Sequence, residues 1–271
     1  MVIFMRATCL SLLLVVPSCL VTPGVSPELK LRVMSYNVKH GLAMTQRPIA
    51  ANLEIQAGII RDQRPDLVGL QEIDQGCARS KGLDETGLFA GWTGLAGAFG
   101  KFMDFDGGEY GLAMLSRFAL RKVETLKLPR GKHEPRIALI HTFEAGSGIV
   151  AVFVNVHFDW LQGSKERVQQ AQVLMKRLKA VDLPVIVIGD YNARPDSPTL
   201  RVFRQAGFEI ISKRGSPFTF NSVNPSKEID HLAIRGSTKY AIRADPIVVL
   251  DEKVASDHRP IVTNVYIRPR Q

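Results

Sequence analysis

The sequence predicts an α/β protein in which two β-sheets pack face to face and helices cover the outside. Two observations carry this prediction. Segments with strand character outnumber helical ones, and hairpin-like neighbours are mixed with helical crossovers. One run, Val185-Ile186-Val187-Ile188, is apolar throughout, as expected of a strand buried on both faces. The chain has 271 residues, 45% of them hydrophobic and 23% charged. That composition fits one large globular domain with its own core, and no stretch reads as a linker, repeat array or low-complexity segment.

Leu29–Val38 alternates Leu31, Val33 and Ser35 with Arg32 and Met34 and predicts the opening strand. Ala50–Arg61 places Leu53, Ala57 and Ile60 at helical spacing. Asp66–Gln71, after Arg64-Pro65, is a short apolar strand. Gly76–Gly108 is rich in glycine and polar residues and predicts irregular structure with one short helix. Its aromatics Trp92, Phe99, Phe102 and Phe105 are expected to pack within that segment. Strands are expected over Tyr110–Ser116, Leu120–Leu128, Pro135–Phe143 and Ile149–His157. Ser164–Ala180 sets Ala171, Leu174, Met175 and Leu178 on one helical face. The buried strand Pro184–Gly189 follows, then a short helix, Pro198–Gln205. Ile229–Ile234, Ile242–Leu250 and Pro260–Ile267 close the chain as strands.

The first 27 residues read differently. Met1–Arg6 carries one positive charge, and Ala7–Val16 is an apolar or small run of signal-peptide length, too short to span a bilayer. Glu28 is the first carboxylate. Residues 1–27 are expected to be a signal peptide or lipoprotein signal with a short tether, and residues 28–271 the functional domain. Val16-Pro17-Ser18-Cys19 resembles a lipobox, with Cys19 as the lipidated residue; the alternative is cleavage around Thr22–Ser26. Export, as a membrane-anchored lipoprotein or a secreted or periplasmic protein, is the expectation. Cys9 and Cys19 fall in the leader, so Cys77 alone lies in the body and no internal disulfide is available after processing. The formal charge of +9 favours anionic partners, without identifying one.

Polar residues stand where the predicted strands end: Asn37, Glu72, His157, then Asp190 and Asn192. Asp230 and His231 open a late strand, and Asp257 and His258 precede the last one. Side chains just beyond buried strands are rigidly held yet reach a crevice. Glu72, Asp257 and Asn37 are oxygen donors suited to a hard cation such as Mg2+, with Mn2+ as an alternative. His157 and His258 can donate to phosphate oxygens or move protons. Asp230 can orient His258, Asp190 can take a proton from water, and Asn192 can hold phosphate or water. Taken singly, each is an ordinary turn or cap residue.

Their order is more specific. Ser35-Tyr36-Asn37-Val38, Gln71-Glu72, Val156-His157, Gly189-Asp190-Tyr191-Asn192, Ile229-Asp230-His231 and Ser256-Asp257-His258-Arg259-Pro260 together resemble the endonuclease/exonuclease/phosphatase superfamily. Tyr110-Gly111 through Leu115-Ser116-Arg117 and Glu134-Pro135-Arg136 add two more matches. The resemblance spans roughly Leu31 to Ile267. It implies a four-layer α/β sandwich and a metal held mainly by Glu72, with Asn37 and Asp257 nearby. It also implies Asp190 and Asn192 at the attacking water, Asp230 paired with His258, and His157 and Arg136 on the phosphate. Asn37-Val38-Lys39-His40-Gly41 and Gly107–Gly111, with Arg167 and Gln170, resemble secreted bacterial members.

The expected activity is metal-dependent hydrolysis of a phosphate ester, most simply a diester, by activated water outside the cytoplasm. The substrate could be a lipid head group or nucleic acid, since fold does not choose among substrates. An extracellular nuclease or a phosphomonoesterase of the same fold is the alternative. A non-catalytic lipoprotein binding phosphoryl ligands is the alternative from another class. No obligate protein partner is inferred, and the membrane is a partner only through a lipid on Cys19.

Overall fold

The computed structural model describes residues 28–131, 134–146 and 148–271, so the leader with Cys9 and Cys19 lies outside the described residues. Strand β1 (Leu29–Asn37) leads through a 3-10 turn at Lys39–Gly41 to helix α1 (Ile49–Gln63) and β2 (Leu67–Gln75). Helix α2 (Glu85–Thr93), β3 (Ala96–Phe105), β4 (Gly108–Ser116), β5 (Val123–Leu128), β6 (Arg136–Glu144) and β7 (Val150–His157) follow. Then come α3 (Lys165–Leu178), β8 (Val185–Asp190), α4 (Pro198–Gln205), β9 (Glu209–Ile210) and β10 (Lys213–Arg214). The chain closes with β11 (Asp230–Arg235), β12 (Tyr240–Ala244), β13 (Ile247–Val249) and β14 (Ile261–Pro269).

Eight strands form one sheet in the order β10-β13-β14-β1-β2-β4-β3, with β12 also on β14; six form the other, β5-β6-β7-β8-β11-β9. Both are mixed: β1–β2 and β7–β8 are parallel, while β2–β4 and β8–β11 are antiparallel. Apolar side chains of the two inner faces, among them Val33, Leu112, Leu139, Phe153 and Ile188, fill the space between the sheets. Leu53, Ile60 and Phe89 of α1 and α2 cover the outer face of the first sheet at Met34 and Val68. Leu174, Leu178 and Phe203 of α3 and α4 do the same for the second at Val154 and Val187. The predicted face-to-face sheets with helices outside are therefore present as a four-layer sandwich.

Two elements differ from expectation. Gly76–Gly108, expected to be largely irregular, contains the ten-residue strand β3 beside α2. Gly76, Gly82, Gly94 and Gly107 do serve turns at positive φ, but Gly97 and Gly100 inside β3 admit close packing instead. A Cβ at Gly97 would meet Ala90 Cβ at 3.1 Å, and one at Gly100 would meet Leu139 Cδ1 at 2.7 Å. Of its aromatics, Phe102 is buried, Trp92 and Phe99 pack against the helix-side core, and Phe105 is exposed. Ile242–Leu250, expected as one strand, is split into β12 and β13 around Asp245-Pro246, where proline removes a ladder donor. Both halves still pair with β14.

A bulge in β2 shapes the site. Register with β4 shifts between Gln71 and Ile73, and Glu72 takes a left-handed φ of 59°. Asn155 on β7 crosses from the other sheet to support it. Its Nδ2 donates to the Leu70 and Ala113 carbonyls at 2.8 Å each, and its Oδ1 accepts from Gln71 Nε2 at 2.6 Å. Gly69 leaves room for that side chain, since a Cβ there would stand 2.8 Å from Asn155 Oδ1.

Candidate active site

The fold gathers the predicted side chains at one pole of the sandwich. β7 runs parallel to β8, which places His157 beside Asp190; β11 runs antiparallel to β8, which places Asp230 on the other side of Asp190. Three functional side chains thus share one row across the second sheet. Asn37 ends β1 and Glu72 leaves the bulge of β2 on the first sheet. Asp257 and His258 come from the loop before β14. Gly189 makes the row possible: it adopts φ 147°, and a Cβ there would overlap the Val156 carbonyl.

Asp190 Oδ2 is the convergence point. Asn37 Nδ2 lies 3.3 Å from it, His157 Nε2 3.4 Å and His258 Nε2 3.6 Å. Its other oxygen accepts the Asn192 N–H at 2.8 Å. Asn192, held at φ 47°, donates its amide to the Phe158 carbonyl at 3.1 Å. His258 Nδ1 stands 3.0 Å from Asp230 Oδ2, and Phe220 packs against its ring at 4.9 Å. Asn37 Nδ2 also reaches Glu72 Oε1 at 3.0 Å, and His40 Nδ1 lies 3.8 Å from Glu72 Oε2.

Burial and neighbouring charge separate the protonation states of these groups. Burial pushes Asp190 up to about 7, against the pull of cationic His258. Burial alone would lower His258, but Asp230 and Asp190 outweigh it and push it up to about 10. Burial would raise Asp230, and the His258 charge and hydrogen bond instead hold it below its ordinary value. His157 is pushed down to about 3 by burial, with Arg136 adding to the effect. Glu72 would also be raised by burial; His40, Asn37 and the site histidines overcome this and keep its carboxylate ionised. Near neutrality the pole therefore carries ionised Glu72 and Asp230, cationic His258, neutral His157 and a titrating Asp190.

The donor set fits a hard divalent cation. Glu72 is ionised, and Asp257 Oδ1 is buried with no hydrogen-bond partner, while its Oδ2 holds Lys39 Nζ at 2.8 Å. These are oxygen ligands of the kind such ions take; the Asn37 amide oxygen accepts the Lys39 N–H at 3.1 Å while its Nδ2 faces Glu72, so it joins them with the amide turned over. A second group, Asp190, Asp230 and His258, has ligand atoms within 4.8 Å of one another. There the protonated imidazole of His258 already occupies Asp230, so this cluster reads as a hydrogen-bonded network.

A cavity of about 510 Å³ opens over these residues. Arg136, the first residue of β6, is only 2% exposed. Its Nη2 meets Glu134 Oε2 at 2.8 Å, while Nε and Nη1 are buried without partners. A buried guanidinium with donors to spare beside a cavity suits an anion. Every predicted site residue in the described part thus falls in this one cluster; Cys19 is not among the described residues. Sequence reasoning missed Arg79 and Trp160, which also line the cavity. Arg79 is gripped bidentately by Asp74 at 2.8 and 2.7 Å and lies over the Phe105 and Tyr110 rings. Both residues sit in segments without periodicity, so no sequence signal marked them. Arg167 and Gln170 clamp the loop beside the cavity: Gln170 Oε1 accepts the Asp159 N–H at 3.0 Å, and Arg167 donates to the Asp159 carbonyl at 2.9 Å.

Residues 34–258 match the Endonuclease/Exonuclease/phosphatase family. Among solved structures, the chain is similar to an endonuclease/exonuclease/phosphatase family protein from Bacteroides thetaiotaomicron, with TM-score 0.70, 18% identity, and 89% of this chain and 98% of that one covered. It is similar to a mannosyl-6-phosphatase of the same species, with TM-score 0.66, 18% identity, and 87% and 99% covered. It is also similar to the human Nocturnin catalytic domain with bound sulfate, with TM-score 0.68, 20% identity, and 88% and 93% covered. At these identities the structural likeness establishes the fold alone. No curated protein matches the sequence.

Proposed function

Because the chain belongs to the Endonuclease/Exonuclease/phosphatase family of phosphoesterases, we propose that it is a divalent-metal-dependent phosphodiesterase acting outside the cytoplasm. The observation that carries this reading is the surroundings of Asp190. A carboxylate pushed up to about 7 faces a neutral imidazole, a cationic imidazole and an amide within 3.6 Å. A base with a pKa near the working pH removes a proton from water efficiently.

Glu72, Asp257 and Asn37 would hold the cation, Mg2+ or Mn2+. When bound, such an ion neutralises phosphate charge and stabilises the departing oxygen. The remaining steps belong to side chains. Asp190 takes the proton of the attacking water, and Asn192, fixed by its two backbone contacts, orients that water or a phosphoryl oxygen. The imidazolium of His258, kept charged by Asp230, donates Nε2–H to a phosphoryl oxygen as negative charge builds. Neutral His157 and the spare donors of Arg136 hold the other oxygens. Export rests on the leader pattern of residues 1–27, and membrane attachment on Cys19.

A phosphomonoesterase is the second reading, favoured by the likeness to a mannosyl-6-phosphatase. The test is hydrolysis of DNA, RNA, sphingomyelin, phosphatidylinositol-type lipids, a chromogenic diester and a chromogenic monoester, with Mg2+ or Mn2+ and with chelator. Chelator-sensitive cleavage favouring diesters is expected. Preference for the monoester would replace the first reading with the second, and no cleavage of either chromogenic ester would point to a phosphoryl-binding protein.

A further inference from the structure

The turn that follows β1 touches every side chain assigned to the cation. Lys39, His40 and Gly41 take left-handed φ values of 50°, 41° and 71° in succession. Gly41 is required, since a Cβ there would meet Ile49 Cγ2 at 2.7 Å. Two consecutive left-handed residues other than glycine persist only where their surroundings hold them. Helix α1 does so here. Gln56 Nε2 donates to the Val38 and Ala255 carbonyls at 2.9 and 2.6 Å, and Asn52 Nδ2 to the Gly41 and Ala255 carbonyls at 2.9 and 2.8 Å. One helix thus ties the turn to the loop that carries Asp257.

This backbone aims three groups at the ligands. The Lys39 N–H reaches Asn37 Oδ1 at 3.1 Å, His40 Nδ1 lies 3.8 Å from Glu72 Oε2, and Lys39 Nζ meets Asp257 Oδ2 at 2.8 Å. The side chains of Lys39 and Asp257 are only 25% and 19% exposed, so salt screens their attraction weakly. Lys39 does not line the cavity and stands outside the space a substrate would fill. The cations that do line it are engaged elsewhere. Arg79 is held by Asp74, Arg136 by Glu134 and His258 by Asp230, while Lys227 lies over the Phe220 ring.

We propose that the Lys39 ammonium is a built-in counter-charge that weakens the cation site and keeps it assembled when no ion is bound. The assignment rests on placing the cation at Glu72, Asp257 and Asn37. Of the two carboxylates there, Lys39 offsets one. It also occupies Oδ2, which leaves the buried, unpartnered Oδ1 as the Asp257 atom for an ion. Lys39 is therefore a positioning residue. It holds Asp257 in the ligand geometry and lets a divalent ion enter and leave a site that carries little excess charge.

Mn2+ binding to the metal-free full chain, followed by electron paramagnetic resonance of the free ion, tests this in Lys39→Met, Lys39→Gln and Lys39→Arg. The two neutral variants should bind Mn2+ about tenfold or more tightly than the parent, since one neighbouring charge alters the proton affinity of a carboxylate by about ten- to thousandfold. Lys39→Arg keeps the charge and should bind like the parent. A merely structural role has the opposite sign, with weaker binding in the neutral variants. Melting gives a second readout: without the ion both neutral variants should melt below the parent, and a fixed Mn2+ concentration should raise them by more. Affinity unchanged or lowered in both neutral variants would overturn the counter-charge; if Glu72→Gln still abolished binding, the cation site would stand. Tightening in the neutral variants with binding intact in Glu72→Gln would keep the counter-charge at Asp257 and move the ion away from Glu72. No binding by the parent or any variant would overturn both.

Discussion

Asp190 and Glu72 are both carboxylates at the same pole, yet their surroundings drive them in opposite directions. Asp190 is raised because burial outweighs its cationic neighbour, and Glu72 stays ionised because its hydrogen-bond donors outweigh burial. Replacing Asp190 with Asn keeps the shape and removes the base. We expect kcat to fall by about 10²- to 10⁴-fold, with metal binding retained when measured by calorimetry. Because the base works when ionised, kcat/KM should rise with pH along an acid limb ending at or below about 7. Glu72→Gln should instead shift the Mn2+ titration of activity upward by about tenfold or more; an unshifted titration would remove Glu72 from the cation site. The residue types at this pole were legible in the sequence because each borders a predicted strand, at its end or its start, in a fixed order. Arg79 and Trp160 were not, since nothing local distinguishes a cavity wall from an ordinary loop.

Among the elements, β2 depends on a partner in the opposite sheet. Asn155 satisfies two carbonyls at the bulge and holds Gln71, next to Glu72. Asn155→Ala should cost about 3 kcal/mol or more in urea unfolding, from buried groups left unpaired at about 1–3 kcal/mol each. The variant should also weaken cation binding, because the bulge that aims Glu72 loses its support. Stability with normal cation binding would assign Asn155 to the core alone. The helix α2 carries a second buried polar group. Glu85 accepts the Asp74 N–H at 2.9 Å, and burial pushes it up to about 8. Its folded pKa exceeds its unfolded value near 4.5, so its contribution to stability is complete below that value and is lost as pH rises through 8. Glu85→Gln should therefore melt higher than the parent above pH 8 and show a flatter profile from 4.5 to 8. Strand periodicity revealed most elements, but β3 was hidden: glycines that usually mark turns here allow backbone and side chains to approach.

At the scale of the molecule, the layered fold was legible because apolar runs and crossovers are properties of long segments. The meeting of the two sheets at one pole was not, since it depends on register between distant strands. That meeting concentrates shifted groups. His157 and His231, pushed down to about 3, make stability rise with pH from about 3 to 6.5. Asp190 and Glu85, pushed up to about 7 and about 8, oppose that rise from about 3.8 and 4.5 upward, and His258, pushed up to about 10, makes stability fall above 6.5. Between about pH 4.5 and 6.5 the two histidines and the two carboxyl groups offset one another, so the metal-free protein should show a plateau in melting temperature there and melt progressively lower toward pH 10 by calorimetry; a melting point still rising at pH 9 would contradict this balance. Cys19→Ser, if Cys19 bears a lipid, should move the protein from the membrane fraction to the soluble one, and continued retention would exclude that anchor.

The direction of β1 then determines what such an anchored molecule could reach. The strand starts at Leu29 and delivers Asn37 to the catalytic pole at the end of its nine residues, a span of roughly 26 Å at about 3.3 Å per residue. Leu29, where the strand begins, therefore stands at the pole opposite the cavity. A bilayer holding Cys19 would sit behind the enzyme, with the cavity facing the surrounding medium like a lamp on a short stalk. Residues 19–28 would reach roughly 30 Å even when fully extended, about the length of the strand they would have to double back along. If Cys19 does bear a lipid, such an orientation would favour esters arriving from solution or from a facing surface over lipids of the anchoring leaflet.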